Sequence, residues 1–266
     1  MWAAYMSWRN GRAVLCWIGA VISAALGVVG GSLLYAMYWR DTGTALAVYA
    51  FNAAQQVFAF ALPALLILAA RPQRLQAFRR DCFLPGIPAA SFSVLLAVSG
   101  AVVVSVIASL WAQLLYSATG YTGAEQALPQ ARSAAQWALA LLTVAAIPAL
   151  CEELFFRGLI QSALCRRLPR VGVWLAAVIF AVLHFRWDAF PALILVGVVL
   201  GLGYRRHGYW GSALLHCLYN AVVLLLSDRE ISLTLGLLIT CAVACAFSLR
   251  GYLGKENENE VDRSGL

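Results

Sequence analysis

Six residues in this sequence carry chemistry that their surroundings do not invite: Glu152, Glu153, Arg157, His184, His216 and Asn220. Two carboxylates and a guanidinium stand in Cys151–Ile160, CEELFFRGLI, with Leu139–Ile147 before them and Leu159, Ile160, Ala163 and Leu164 after. His184 ends the run FAVLH, and His216 and Asn220 open and close HCLYN. Ionisable groups inside an apolar helix are costly and by default mark function. A carboxylate and an imidazole can hold and deprotonate a water, and a second His and an Asn can donate hydrogen bonds to an oxyanion. That set could hydrolyse a peptide bond within a membrane. Glu152, His184 and His216 would equally serve as N and O ligands for Zn²⁺, although no HExxH helix is present. There is no GxSxG, and no membrane serine is paired with these histidines by spacing.

Helical spacing separates the roles. Glu153 and Arg157 are i and i+4, acid before base, so they can neutralise each other on one face. Glu152 points about 100° away, which leaves it the less satisfied acid and the candidate general base. His216 and Asn220 are also i and i+4 and share a stripe. His207 follows Arg205 and Arg206 and reads as solvated. The plainer alternatives are a buried ionic knot for Glu152, Glu153 and Arg157, a satisfied core residue for His184, and interhelical hydrogen bonding for His216 and Asn220.

The elements that must position these residues follow from composition. The chain has 266 residues, 62% hydrophobic and only 12% charged, whereas soluble domains are about 45–50% apolar and 25% charged. It reads as a polytopic, all-α membrane protein with no soluble domain. Apolar blocks run over 14–38, 44–70, 88–118, 134–165, 172–185, 190–204, 209–227 and 231–252. A spanning helix needs about 20 residues, so eight helices are expected, with seven or nine as alternatives because 172–185 and 190–204 are short. The first block is too long for a signal peptide and ends in bulky residues, so it reads as a retained helix.

The charges assign sides. One alternate set of loops holds 14 Lys and Arg; the other holds Arg40, Arg132, Arg186 and Arg229, each near an acid. Cytoplasmic loops carry the basic excess, which places both termini in the cytoplasm. Glu152, His184 and Asn220 each lie 14 residues from a basic loop, and His216 lies 10. At about 1.5 Å per residue the four fall at similar depth, as one shared site requires. No basic patch with interleaved aromatics points to nucleic acid. The seven cysteines form no CxxC pair and read as small hydrophobes, and Cys151 and Cys217 are offset from the site residues. The polar tail from Lys255 reads as disordered.

At these residues the sequence resembles the CPBP family of intramembrane proteases, also called the CAAX protease and bacteriocin-processing, or Abi, family. The family pattern EExxxR, FxxxH, HxxxN stands here as Glu152–Arg157, Phe180…His184 and His216…Asn220, in order, over roughly 134–226. The resemblance divides the chain into unrecognised N-terminal helices (1–133), a catalytic core (134–226) and a last helix with a short tail (227–266). It implies an eight-helix bundle with a polar cavity open to the cytoplasm. Glu152 and His184 would activate water, His216 and Asn220 would form the oxyanion hole, and Glu153 and Arg157 would support Glu152. The expected mechanism is metal-free, with zinc on Glu152, His184 and His216 as the alternative. The expected substrate is a membrane-embedded C-terminal anchor or peptide tail in a bacterial inner membrane, with a prenylated CAAX protein as the alternative. A non-catalytic scaffold or immunity protein and a proton relay or transporter are the competing classes. Oligomeric state is not legible.

Overall fold

The fold is a helical bundle, seen in a computed structural model that describes residues 2–38, 44–123, 131, 133–227 and 234–254. Arg40, Asp41, Glu125, Arg132, Asp228, Arg229, Glu230 and the tail from Lys255 lie outside these residues. Every regular element described is helical. Helix α1 (Trp2–Tyr38) is followed by α2 (Ala45–Gln56), a π-helical turn (Val57–Ala61) and α3 (Leu62–Ala69). Next come α4 (Pro72–Asp81), α5 (Ile87–Thr119) and α6 (Ala134–Ala140). A π turn (Leu141–Ala146), α7 (Ile147–Glu153), a second π stretch (Leu154–Gln161) and α8 (Ser162–Arg167) continue one rod. Then follow α9 (Gly172–Leu183), α10 (Phe190–Ser227) and α11 (Leu235–Leu253).

Among the described residues, six stretches are long and apolar enough to cross a membrane: Ile18–Tyr35, Leu46–Ala69, Ile87–Thr119, Ala134–Arg167, Trp187–Leu226 and Leu235–Leu253. The apolar helix Gly172–Leu183 is shorter. The surface confirms the solvent they were built for. Leu26, Phe58, Leu66, Leu110, Trp174 and Phe247 all face outward, while Glu153 and Arg157 are buried. Grease outside and paired charge inside is the arrangement a bilayer favours. The chain is a polytopic, multi-pass α-helical membrane protein.

Trp187–Leu226 is not a single rod. The Ser212 hydroxyl oxygen lies 2.9 Å from the Leu200 carbonyl oxygen, although twelve residues of straight helix would separate them by about 18 Å. The chain folds back at Gly208, whose φ of 68° and ψ of −169° lie outside the helical region. Val196, Leu200 and Leu215 then pack in one cluster. The blocks 190–204 and 209–227 are therefore two arms of a hairpin that turns without a loop. Only glycine suits the turn: its φ is positive, and a Cβ there would fall on the Asp81 carbonyl oxygen.

The basic loop 71–80 holds an element that hydropathy does not announce. It is helix α4, with Leu75 and Phe78 turned to the core and Arg79 and Arg80 exposed. The Tyr204 hydroxyl donates to Asp81 at its end, and His207 at the hairpin turn bonds the Tyr252 carbonyl. These contacts gather the basic segments around 71–80, 166–170, 205–207 and 250 at one end of the bundle. The N-terminal helices are packed on the rest: α2 and α3 against the 134–167 rod, α5 against α10 and α11.

Candidate active site

The rod that carries Glu152 is shaped by a proline. Pro148 has no N–H, so the Thr143 carbonyl five residues earlier cannot take a π-register bond from it. Asn52 of α2 supplies the missing donor, its amide reaching that carbonyl at 2.9 Å. The π turn over Leu141–Ala146 ends just before this point. A second π stretch begins one residue after Glu153. There the Ser162 hydroxyl donates to the Arg157 carbonyl at 2.8 Å. Single π turns inside helices occur often at functional sites.

Glu153 is the anchor. It is fully buried, and its Oε1 lies 3.1 Å from Arg157 Nη1 and accepts from His216 Nδ1 at 2.8 Å. Its Oε2 accepts from the Ser212 hydroxyl at 2.5 Å. Arg157 also donates to the Gly197 carbonyl at 3.2 Å, and its guanidinium lies 4.7 Å from the centre of the Phe180 ring. The expected support of Glu152 by Glu153 takes another form: Glu153 holds His216, a residue on the hairpin's second arm.

Glu152, His184 and His216 converge. Glu152 Oε2 lies 3.8 Å from His184 Nε2 and 3.8 Å from His216 Nε2, and this buried oxygen has no hydrogen-bond partner among the described residues. Each ring is fixed from its far side. His184 Nδ1 is 2.6 Å from the Phe180 carbonyl, an atom that only accepts, so that nitrogen carries hydrogen. His216 Nδ1 donates to Glu153. In both rings the neutral form thus leaves a lone pair on Nε2. Two such lone pairs and a carboxylate oxygen facing one point make a place for a group rich in hydrogen, such as water.

Phe180 explains the first letter of FxxxH. Its carbonyl orients His184, its ring lies 4.3 Å from the imidazole by centroids, and it also packs against Arg157, Phe156 and His216. His184 caps the end of α9, and Phe185 after it turns the chain with a φ of 53°, a conformation uncommon outside glycine. Asn220 lies on α10 one turn beyond His216, half-buried, and its side chain makes no hydrogen bond among the described residues. Sequence reading passes over Asn52 and Ser212, and names Phe180 only as a letter of the motif. The rule that flagged Glu152, polar atoms within apolar helices, applies equally to Asn52.

The zinc alternative would use the same atoms. Its three ligands do meet, but among the described residues no group of three or more His, Cys, Asp or Glu has the arrangement of a metal site. Two surface cavities, of about 550 and 310 Å³, are lined by other residues.

Fold and site define a class: a multi-pass α-helical membrane protein with a buried Glu–His–His cluster. Residues 134–222 match the family model for the type II CAAX prenyl endopeptidase Rce1-like proteins. The three motifs resemble this same CAAX-protease family, and the matched segment contains all six site residues. Among curated proteins, 64 residues are 38% identical to the uncharacterized protein YpbD of Bacillus subtilis (strain 168), covering 23% of this chain and 30% of that protein. The chain therefore spans less than a third of that relative's length in the match. No solved structure matches it.

Proposed function

We propose that this chain is an intramembrane endopeptidase of the CAAX-protease type, with Glu152 as its general base. The observation that carries this reading is the position of Glu152 Oε2, equidistant from two imidazoles whose other nitrogens are already committed. Water held against His184 gives a proton to Glu152 while its oxygen attacks the scissile carbonyl carbon. The carbonyl electrons move to oxygen, and the Asn220 amide, one helical turn from His216, receives that charge. His216 donates from Nε2 when its ring is doubly protonated, with Glu153 as the counter-charge. Collapse breaks the C–N bond, and the leaving nitrogen takes the proton from Glu152.

The substrate is a C-terminal segment delivered within the membrane, either a membrane-embedded anchor or peptide tail or a prenylated CAAX end. The family description favours the prenylated end. The site takes its substrate from the cytoplasmic side, the side to which the excess of basic residues in alternate loops assigns both termini.

The test uses the purified chain in micelles with two substrates: a farnesylated CAAX peptide and an unprenylated peptide bearing an apolar C-terminal anchor. Cleavage by the wild type and its loss in Glu152→Gln, at unchanged thermal midpoint, support the reading. Equal cleavage by both proteins overturns the glutamate base. Cleavage of neither peptide by the wild type favours a non-catalytic scaffold.

A further inference from the structure

Away from the Glu–His cluster, at the basic end, a cavity of about 310 Å³ is lined by Asp81, Gln161, Ser162, Tyr204 and Arg205, among others. Four chain segments build it: the end of α4, the junction of the second π stretch with α8, the turn at Pro169 and the first arm of the hairpin. None of these residues has a part in the proposed hydrolysis.

The cavity's charges are mixed and unspent. Arg205 and the neighbouring Arg166 are exposed, while Asp81 is only partly so. One Asp81 oxygen accepts from the Tyr204 hydroxyl at 2.9 Å, and Asp81 makes no ion pair among the described residues. Gln161 is buried; its Nε2 donates to the Gly201 carbonyl at 2.8 Å, and its Oε1 has no partner among the described residues. Burial pushes the Asp81 carboxyl above its ordinary value, against the smaller downward pull of the Tyr204 hydroxyl and the Arg166 charge. A simple anion entering here meets Arg205 but also the Asp81 carboxylate. A simple cation meets Asp81 but also Arg205 and Arg166. A ligand with both charges, a few bonds apart, satisfies both walls.

We infer that this cavity is a binding site for a phosphate-plus-ammonium zwitterion of the phosphoethanolamine type. The phosphate lies on Arg205 and Arg166 at the rim, and the ammonium donates to Asp81. Choline, whose nitrogen has no hydrogen to donate, fits less well, and a glycerol headgroup offers no cation. The basic end of a multi-pass bundle is where phospholipid headgroups are met, so the lipid is one source and free phosphoethanolamine the other.

Native mass spectrometry of the full chain from micelles holding equimolar phosphatidylethanolamine, phosphatidylcholine and phosphatidylglycerol tests this. The wild type should retain phosphatidylethanolamine over either competitor by about tenfold, equal to about 1.4 kcal/mol. Asp81→Asn, which keeps an oxygen for Tyr204, should lose that preference and favour phosphatidylglycerol. Arg205→Gln should lose the retained lipid. Retention that follows bulk composition in the wild type, or an ethanolamine preference that survives in Asp81→Asn, overturns the site. Free O-phosphoethanolamine separates the sources in lipid-depleted micelles. If it raises the thermal midpoint of the wild type but not of Asp81→Asn, the headgroup alone suffices. If it shifts neither while the wild type still selects the lipid, the ligand is the phospholipid.

Discussion

His216 donates from Nδ1 to Glu153 at 2.8 Å across 63 positions of sequence, and this one bond ties the two motifs into a single device. The second acid of the EE pair answers Arg157, His216 and Ser212 together. The first acid faces the opposite nitrogen of the same imidazole at 3.8 Å. His216 therefore stands between two carboxylates, one that orients it and one that shares its open side with His184. Adjacent glutamates acquire different tasks because a helix turns about 100° between them.

The first prediction separates these tasks. Glu152→Gln keeps the volume and removes the base, so cleavage should fall by about 10²–10⁴-fold. The thermal midpoint in micelles should stay near wild type, because Glu152 Oε2 makes no hydrogen bond that the substitution could break. Peptide turnover and a melting curve on the same preparation check both halves.

Glu153 and Arg157 should behave in the opposite way. Removing one partner of a buried ion pair strands the other charge, which costs about 3–5 kcal/mol. Glu153→Gln and Arg157→Met should each lower the thermal midpoint strongly. The double variant should recover part of the loss, since it leaves no unpaired charge. A double variant whose destabilisation equals the sum of the singles would show that Arg157 answers some other group than Glu153.

Asn52 and Pro148 should be coupled through the Thr143 carbonyl. Asn52→Ala leaves the buried Thr143 carbonyl without its donor, a loss of about 1–3 kcal/mol. In a Pro148→Ala background the new N–H at 148 can reach that carbonyl, so the same Asn52→Ala change should cost less. A double-mutant cycle on thermal or denaturant midpoints measures the difference, and a coupling of zero would remove Asn52 from the account of the π turn.

Much of this was legible in the sequence because hydropathy and charge are one-dimensional signals. The block 88–118 returns as Ile87–Thr119 and 134–165 as Ala134–Arg167, and the motif histidines meet the motif acid. Three things were not legible. Helix α4 was hidden because Leu75 and Phe78 are too few to register in a membrane-length window. The hairpin at Gly208 was read as two helices and a loop, because glycine's positive φ is a property of the fold. The bond from His216 to Glu153 was missed because i, i+4 spacing gives Glu153 a sufficient partner in Arg157, and spacing within one helix says nothing of what another helix brings.

Gly208 makes the hairpin testable. Alanine there must adopt a φ of 68°, which costs about 1–2 kcal/mol in the left-handed region, and its Cβ would also meet the Asp81 carbonyl oxygen. Gly208→Ala should lower the thermal midpoint and with it the activity, because Ser212 and His216 ride on the second arm. Gly19→Ala, where a Cβ meets nothing within 4 Å, is the matched control and should be near neutral. Equal effects at the two positions would argue against a tight turn at 208.

The last prediction concerns metal. With both Nδ1 atoms committed, the two Nε2 lone pairs and Glu152 Oε2 are the atoms that either a zinc ion or a water would use, so the donor types alone do not choose between them. Zinc would take those atoms at about 2.0–2.2 Å with water in a fourth, tetrahedral position, whereas the metal-free reading leaves the water to Glu152 and His184. The expected outcome is that exhaustive chelation leaves peptide cleavage intact. Loss of activity restored by stoichiometric Zn²⁺, together with loss of zinc retention in His184→Ala, would replace the glutamate base with a metal-bound water. Measuring zinc content of the wild type before and after chelation keeps the two outcomes distinct, since a protein that never held zinc has none to lose.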